Sequence, residues 1–235
     1  MAKLIDFKIG PVNTRATVGV PEGAGPFPGV VVTFHRYGID NFTQWLVDDL
    51  VAKGFAAIAP DHFHVIPPDK GPDDRKDYLT DEQMVLDLRA AATWLDGQNK
   101  VLKRKYGVLG HCMGGRTTWV ALEESPELWA CGCIWYGGGA LKPLGSKLPA
   151  PIDRLERIQA PVMGFFGNDD KNPSPADVEK FDQGLTKLGK WHEFHLYDDT
   201  GHGFMNPEST KSYREHAAKD SWARALPFIR KSIGV

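Results

Sequence analysis

Cysteine is scarce in this chain of 235 residues: there are three, an odd number, and two of them, Cys131 and Cys133, sit in the apolar run ACGCIWY. That count argues against a disulfide scaffold, and three thiols suit a reducing compartment. An excess of charge is missing as well, because 28 lysines and arginines face 30 aspartates and glutamates. Such a balance offers no electrostatic basis for binding nucleic acid or an anionic membrane surface. Long apolar stretches are also wanting. Nothing approaches the roughly 18 apolar residues of a membrane span, and the opening MAKLIDFKIGPVN lacks the apolar core of a signal peptide. These absences predict a protein of the cytoplasm. No internal repeat, low-complexity tract or long polar linker divides the sequence, so residues 1–235 are expected to form one domain.

Apolar, β-branched runs alternate with longer segments of helical periodicity. That pattern predicts an α/β fold, a mostly parallel central sheet with helices on both faces. The expected buried strands are Val30–Phe34, Phe55–Pro60, Tyr106–Gly110, Cys131–Tyr136 and Val162–Phe166, with His192–Tyr197 as one more. Asn41 is a candidate cap for the helix TQWLVDDLVAKG, and Thr80 for DEQMVLDLRAAATWLDG. LIDFKI and TRATVGV, joined around PVN, read as an antiparallel hairpin at the sheet edge. Pro21–Pro28 reads as a turn and Pro143–Pro151 as an irregular surface segment.

The most informative stretch is YGVLGHCMGGRTTWVALEE, in which an apolar strand meets Gly110-His111-Cys112-Met113-Gly114 and continues as a helix. A glycine two positions before and two after a nucleophile, between strand and helix, is the pattern of a nucleophile elbow. The nucleophile sits in a strained conformation on a tight turn, where flanking side chains would strike the neighbouring strand and helix. The turn aims sulfur at a helix N-terminus, whose N–H groups favour a thiolate and a developing oxyanion. The competing reading is a buried structural cysteine between packing glycines.

Elbows of this kind place an acid and then a histidine later in the chain. After VMGFF comes the loop GNDDKNP with Asp169 and Asp170, and after HEFHLYDDT comes Gly201-His202-Gly203. Asp170 and His202 are the expected orienter and base, with Asp169 as the rival carboxylate. Each residue alone is a weak signal; the ordered set carries the argument.

The elbow GHCMGG, the loop GNDDKNPSP, the segment GHGF, the early VVTFHRYGIDNFTQWLVDDLVAKGFAAIAPD stretch and the strand-end WYGG together resemble the dienelactone hydrolase family of the α/β-hydrolase fold, over most of the chain from about Val30 onward. The resemblance implies a cofactor-free cysteine hydrolase that opens lactones or cleaves esters through a covalent thioester. It implies Cys112, Asp170 and His202 as the catalytic set, and the backbone N–H groups of Met113 and Arg36 as oxyanion donors. A small-molecule ester or lactone is thus the expected partner.

Two positions depart from that family. His35 stands where a glutamate is usual near the nucleophile; it could act as a neutral hydrogen-bond partner, as a cation that lowers the thiol pKa, or merely fill the loop. Asn206 stands where a substrate-binding arginine is usual, and asparagine cannot supply a guanidinium clamp. Tyr37, Phe63, Trp135, Tyr136, Phe204 and Met205 lie at or past strand ends, where ligands bind in open α/β sheets. Of these, Tyr37, Trp135, Tyr136 and Phe204 are the candidate substrate pocket. Asp61, His62 and His64 have metal-ligand spacing, but the cysteine elbow already accounts for this edge and no metal is expected. Rival functions are a cysteine amidotransferase, disfavoured by Phe204 two residues after His202, and a non-catalytic ligand-binding protein.

Overall fold

The computed structural model describes residues 1–71, 74, 77–145 and 147–235. Among these, strands β1 (Lys3–Ile9), β2 (Val12–Gly19), β3 (Gly29–Thr33), β4 (Ala56–Pro60), β5 (Tyr106–His111), β6 (Trp129–Trp135), β7 (Val162–Gly167) and β8 (His192–Tyr197) form one eight-stranded sheet in the order β1-β2-β4-β3-β5-β6-β7-β8. β1 and β2 are the antiparallel hairpin expected at one edge, and from β4 to β8 every pairing is parallel. The hairpin turn falls one residue earlier than expected. Gly10 takes the left-handed conformation at φ +55°, and Val12 and Asn13 already pair with Ile9 and Lys8.

Helices cover both faces, as parallel strands require. On one face, α1 (Asn41–Ala52) and α5 (Glu215–Ile233) bury Phe42, Leu46, Leu50, Ala225 and Ile229 against Val30, Val32, Leu109 and Trp135. On the other, α2 (Asp81–Asp96), α3 (Met113–Glu124) and α4 (Pro175–Lys187) contribute Leu88, Leu95, Trp119, Leu122 and Phe181 against Val31, Val108 and Val162. Thr80 caps α2 as expected, accepting from the Gln83 N–H at 3.1 Å. α1 is capped by Asp40 rather than Asn41. The Asp40 carboxylate accepts from the Thr43 N–H at 2.9 Å, which places Asn41 at the first helical position. A cap is worth about 1 kcal/mol, against about 1.5–3 kcal/mol for each buried leucine. Packing therefore holds α1, while the cap sets where it starts. The parallel strands bring their carboxyl ends, and the loops that follow, to one edge of the sheet.

Candidate active site

β5 ends at His111, α3 begins at Met113, and Cys112 alone makes the turn between them, at φ 57° and ψ −117°. For a residue with a side chain this backbone costs about 1–3 kcal/mol. Bonds on either side hold it in place. The Cys112 N–H donates to Trp135 O on β6 (3.0 Å), the Arg116 N–H to Cys112 O (3.1 Å), and the Thr33 hydroxyl on β3 to Gly114 O (2.6 Å). Both elbow glycines are sterically required: a Cβ on Gly110 would run into Gly114 and Thr33, and one on Gly114 into the Thr33 backbone.

Asp170 and His202 come from loops after β7 and β8, two neighbouring parallel strands. His202 Nδ1 lies 2.8 Å from Asp170 Oδ2, while Asp170 Oδ1 accepts from the Asn172 N–H at 2.8 Å. Asp170 is buried, which strengthens both contacts. Asp169, the rival carboxylate, is exposed, and its backbone N–H bonds to Thr200 O. The other side of the His202 ring reaches Cys112. Burial works against a thiolate, yet the hydrogen bond and charge of His202, together with the backbone N–H groups of Met113 and Arg36, bring the Cys112 pKa below its ordinary value. Burial likewise works against an imidazolium, but the hydrogen bonds to Asp170 and Cys112 push His202 up to about 10. These opposite shifts favour a thiolate–imidazolium pair over a neutral thiol and imidazole.

His35 takes a position that the sequence left open. Its Nε2 lies 2.8 Å from Asp40 Oδ2, and its ring meets Tyr37 and Phe42 edge to face. Asp40 thus holds His35 with one oxygen and caps α1 with the other. His35 precedes Arg36, whose N–H faces the sulfur, so this bond braces the loop that carries the second N–H. Asn41 is the cap expected from the sequence, which does not single out Asp40; the structure places Asp40 at the cap and against His35.

The four expected pocket residues separate. Tyr37 is 60% exposed, whereas Trp135 and Phe204 have no exposed surface. Trp135 stacks on His111 and Phe165, and Phe204 packs on Tyr136 and Tyr197, so both back the site from within the core and present no wall to a ligand. The reason is general, since strand ends close the core as well as line clefts. Tyr136 is nearly buried, but it has φ 39° and its ring lies 5.0 Å from that of His202.

His62 and His64 both turn to Asp87 on α2, with Nδ1 of His62 at 2.8 Å and Nε2 of His64 at 3.0 Å. Among the described residues no group of three or more His, Cys, Asp or Glu side chains is arranged to hold a metal ion. Arg116 is a further residue without a sequence signal. Buried on α3, its guanidinium bonds Asp81 on α2, Gly139 O (3.2 Å) and Lys142 O (2.9 Å), tying the elbow helix to the loop after β6. Asn206 bonds within its own turn, accepting from the Glu208 N–H at 3.0 Å.

The sequence pattern of the dienelactone hydrolase family matches residues 14–233. A protein of Yersinia pestis provisionally named carboxymethylenebutenolidase is 30% identical over 225 residues, covering 88% of this chain and 79% of its own. The carboxymethylenebutenolidase of Rhodococcus opacus is 27% identical over 215 residues, covering 88% and 82%. The crystal structure of a protein from Klebsiella pneumoniae subsp. pneumoniae, provisionally named a dienelactone hydrolase, superposes with a TM-score of 0.87 at 27% identity, over 98% of this chain and 99% of its own. With the match running over nearly its whole length, the chain belongs to the dienelactone hydrolase family, within the α/β-hydrolase fold.

Proposed function

We propose that this protein hydrolyses a small ester or lactone through a thioester on Cys112. The observation that carries this reading is the chain Cys112–His202–Asp170, in which the thiol is shifted down and the imidazole up. The Cys112 thiolate adds to the substrate carbonyl carbon, and the resulting oxyanion is held by the backbone N–H groups of Met113 and Arg36. As the tetrahedral species collapses, the C–O bond breaks and His202 gives its proton to the departing alkoxide, which in a lactone stays tethered to the acyl group. His202 then takes a proton from water, the hydroxide displaces Cys112 from the thioester, and the acid is released. Asp170 keeps the imidazole oriented and stabilises its cationic form.

Because His35 is bound to Asp40, we assign activation of the thiol to His202 alone, and to the His35–Asp40 bond the placing of the Arg36 N–H. With Asn206 bonded within its own turn, the clamp expected for a carboxylate-bearing dienelactone is missing from that position. A neutral ester or lactone fits better. We place the enzyme in the cytoplasm, where its three free thiols stay reduced; among the described residues no helix is long and apolar enough to cross a membrane.

Iodoacetamide is expected to titrate one fast thiol and to abolish p-nitrophenyl acetate turnover in step. Full esterase activity in Cys112→Ala would sink the proposal.

A further inference from the structure

The two edges of the sheet differ. β1 closes one side with Lys3, Asp6 and Lys8 along a seven-residue strand, and charged edges resist pairing with other chains. β8 closes the other side with the sequence HEFHLY. In a parallel pair, alternate residues turn both backbone groups toward the neighbour. Trp191 O and Tyr197 O accept from Val162 and Asn168, so the odd-numbered positions face β7. The backbone groups of His192, Phe194 and Leu196 therefore point away from the sheet. Trp191 and Leu196 beside them are 52% and 43% exposed, as is Leu188 at the end of α4 at 43%.

We infer that β8 pairs with β8 of a second copy of this chain, antiparallel about a two-fold axis at Phe194, joining the two sheets into one. The choice of partner follows from self-complementarity. With Phe194 opposite its own copy, Glu193 falls opposite His195, Lys190 opposite Asp198, and Trp191 opposite Tyr197, each pairing occurring twice. Within one chain, Glu193 Oε1 already lies 2.8 Å from His195 Nε2 on the same face of the strand, so the two side chains attract each other there as well. Moving the axis one residue back sets Glu193 against Glu193, a like-charge clash, and moving it one residue forward separates Glu193 from His195 and Lys190 from Asp198, so the polar pairings favour the register at Phe194. The residues that face outward in the backbone sense, His192, Phe194 and Leu196, then form the hydrogen-bonded pairs of the new ladder, and the odd-numbered residues the intervening ones. β8 leads directly into the turn that carries His202, so the same pairing ties the two histidine loops to one shared strand pair.

Sedimentation equilibrium on the full chain tests this. The wild type is expected at twice its 26.0 kDa chain mass. Leu196→Pro removes one outward N–H at an edge where proline is sterically tolerated and is expected to give a monomer. Glu193→Lys, a change at a 46%-exposed side chain, is expected to raise the dimer dissociation constant about tenfold or more. Combining it with His195→Glu restores opposite signs across the axis and should recover the dimer. A monomeric wild type overturns the inference, as does a dimer whose affinity is unchanged by Leu196→Pro and by Glu193→Lys. Circular dichroism and ester hydrolysis by the dissociated variants separate loss of pairing from loss of fold.

Discussion

Three cysteines in one protein make a controlled comparison. Cys131 and Cys133 lie inside β6, with no exposed surface; Cys112 lies one strand away, where β5 gives way to α3. Burial acts on all three in the same direction. It pushes Cys131 to about 12, slightly offset by a hydrogen bond with Ser232, and Cys133 well above the ordinary thiol value, with Cys131 adding to the shift. At Cys112 the same burial is outweighed by His202 and two backbone N–H groups. The direction in which a thiol pKa moves in this fold is therefore set by its place. The strand interior leaves burial dominant, with Ser232 offsetting it only in part at Cys131, whereas the strand end offers a helix N-terminus and a histidine from another loop.

The comparison is broken most severely by removing the thiol at the strand end. Cys112→Ala is expected to lower kcat/KM for an aryl ester by at least about a thousandfold, while alanine at Cys131 and Cys133 leaves it unchanged. Next comes the orienting carboxylate. Asp170→Asn should cost about 10²–10⁴ in kcat, and the pH–rate profile should change with it. Asp170 helps raise His202 to about 10, so losing the charge lowers the imidazole pKa and moves the alkaline limb to lower pH. In the wild type, turnover is expected to fall on the acid side as the Cys112 thiolate takes up its proton. It should fall again as pH rises through about 10, where His202 loses its acidic proton. A profile with no alkaline limb would show that His202 donates no proton to the leaving group.

Asp40→Asn sharpens the role of the loop opposite the elbow. Asparagine caps a helix as well as aspartate does, so α1 survives while the charged bond to His35 is lost. A drop in kcat of about tenfold, equivalent to about 1.4 kcal/mol of transition-state stabilisation, is expected with little change in KM. An unchanged kcat would confine Asp40 to capping. The smallest effect is the counterpart at the strand interior. Cys133→Ala should cost about 1 kcal/mol of stability, or about 2–4 °C in Tm, without altering the single fast alkylation event.

What was legible in the sequence was mainly what depends on near neighbours along the chain. The strands from β3 to β7 announced themselves as apolar runs because both sheet faces are buried; β8, expected as one more buried strand, is an edge strand with Glu193 and Leu196 exposed. The elbow was legible because its glycines answer a local steric demand, confirmed by what a Cβ at Gly110 or Gly114 would strike. Other features had no such signature. Asp40 and Asn41 are equally good caps on paper; the choice depends on which carbonyl and N–H groups the preceding loop, pinned by His35, brings into line. Trp135 at the end of β6 and Phe204 in the turn past β8 looked like pocket walls, but the pleat aims Trp135 into the core and Phe204 packs on Tyr136 and Tyr197. His62 and His64 had metal-like spacing, and it took the docking of α2 to give both of them Asp87.

By itself, then, the sequence determined the α/β alternation, the strained turn at Cys112 and the order of Cys112, Asp170 and His202, because each is written within a few residues or in the sequential order of strands. Only the tertiary structure decided that Asp170 and not Asp169 meets His202, that His35 turns to Asp40, and that at Cys112 the partners outweigh burial while at Cys131 and Cys133 burial wins. Those outcomes depend on side chains from different strands converging at one edge of the sheet, at distances near 3 Å that no spacing along the chain encodes.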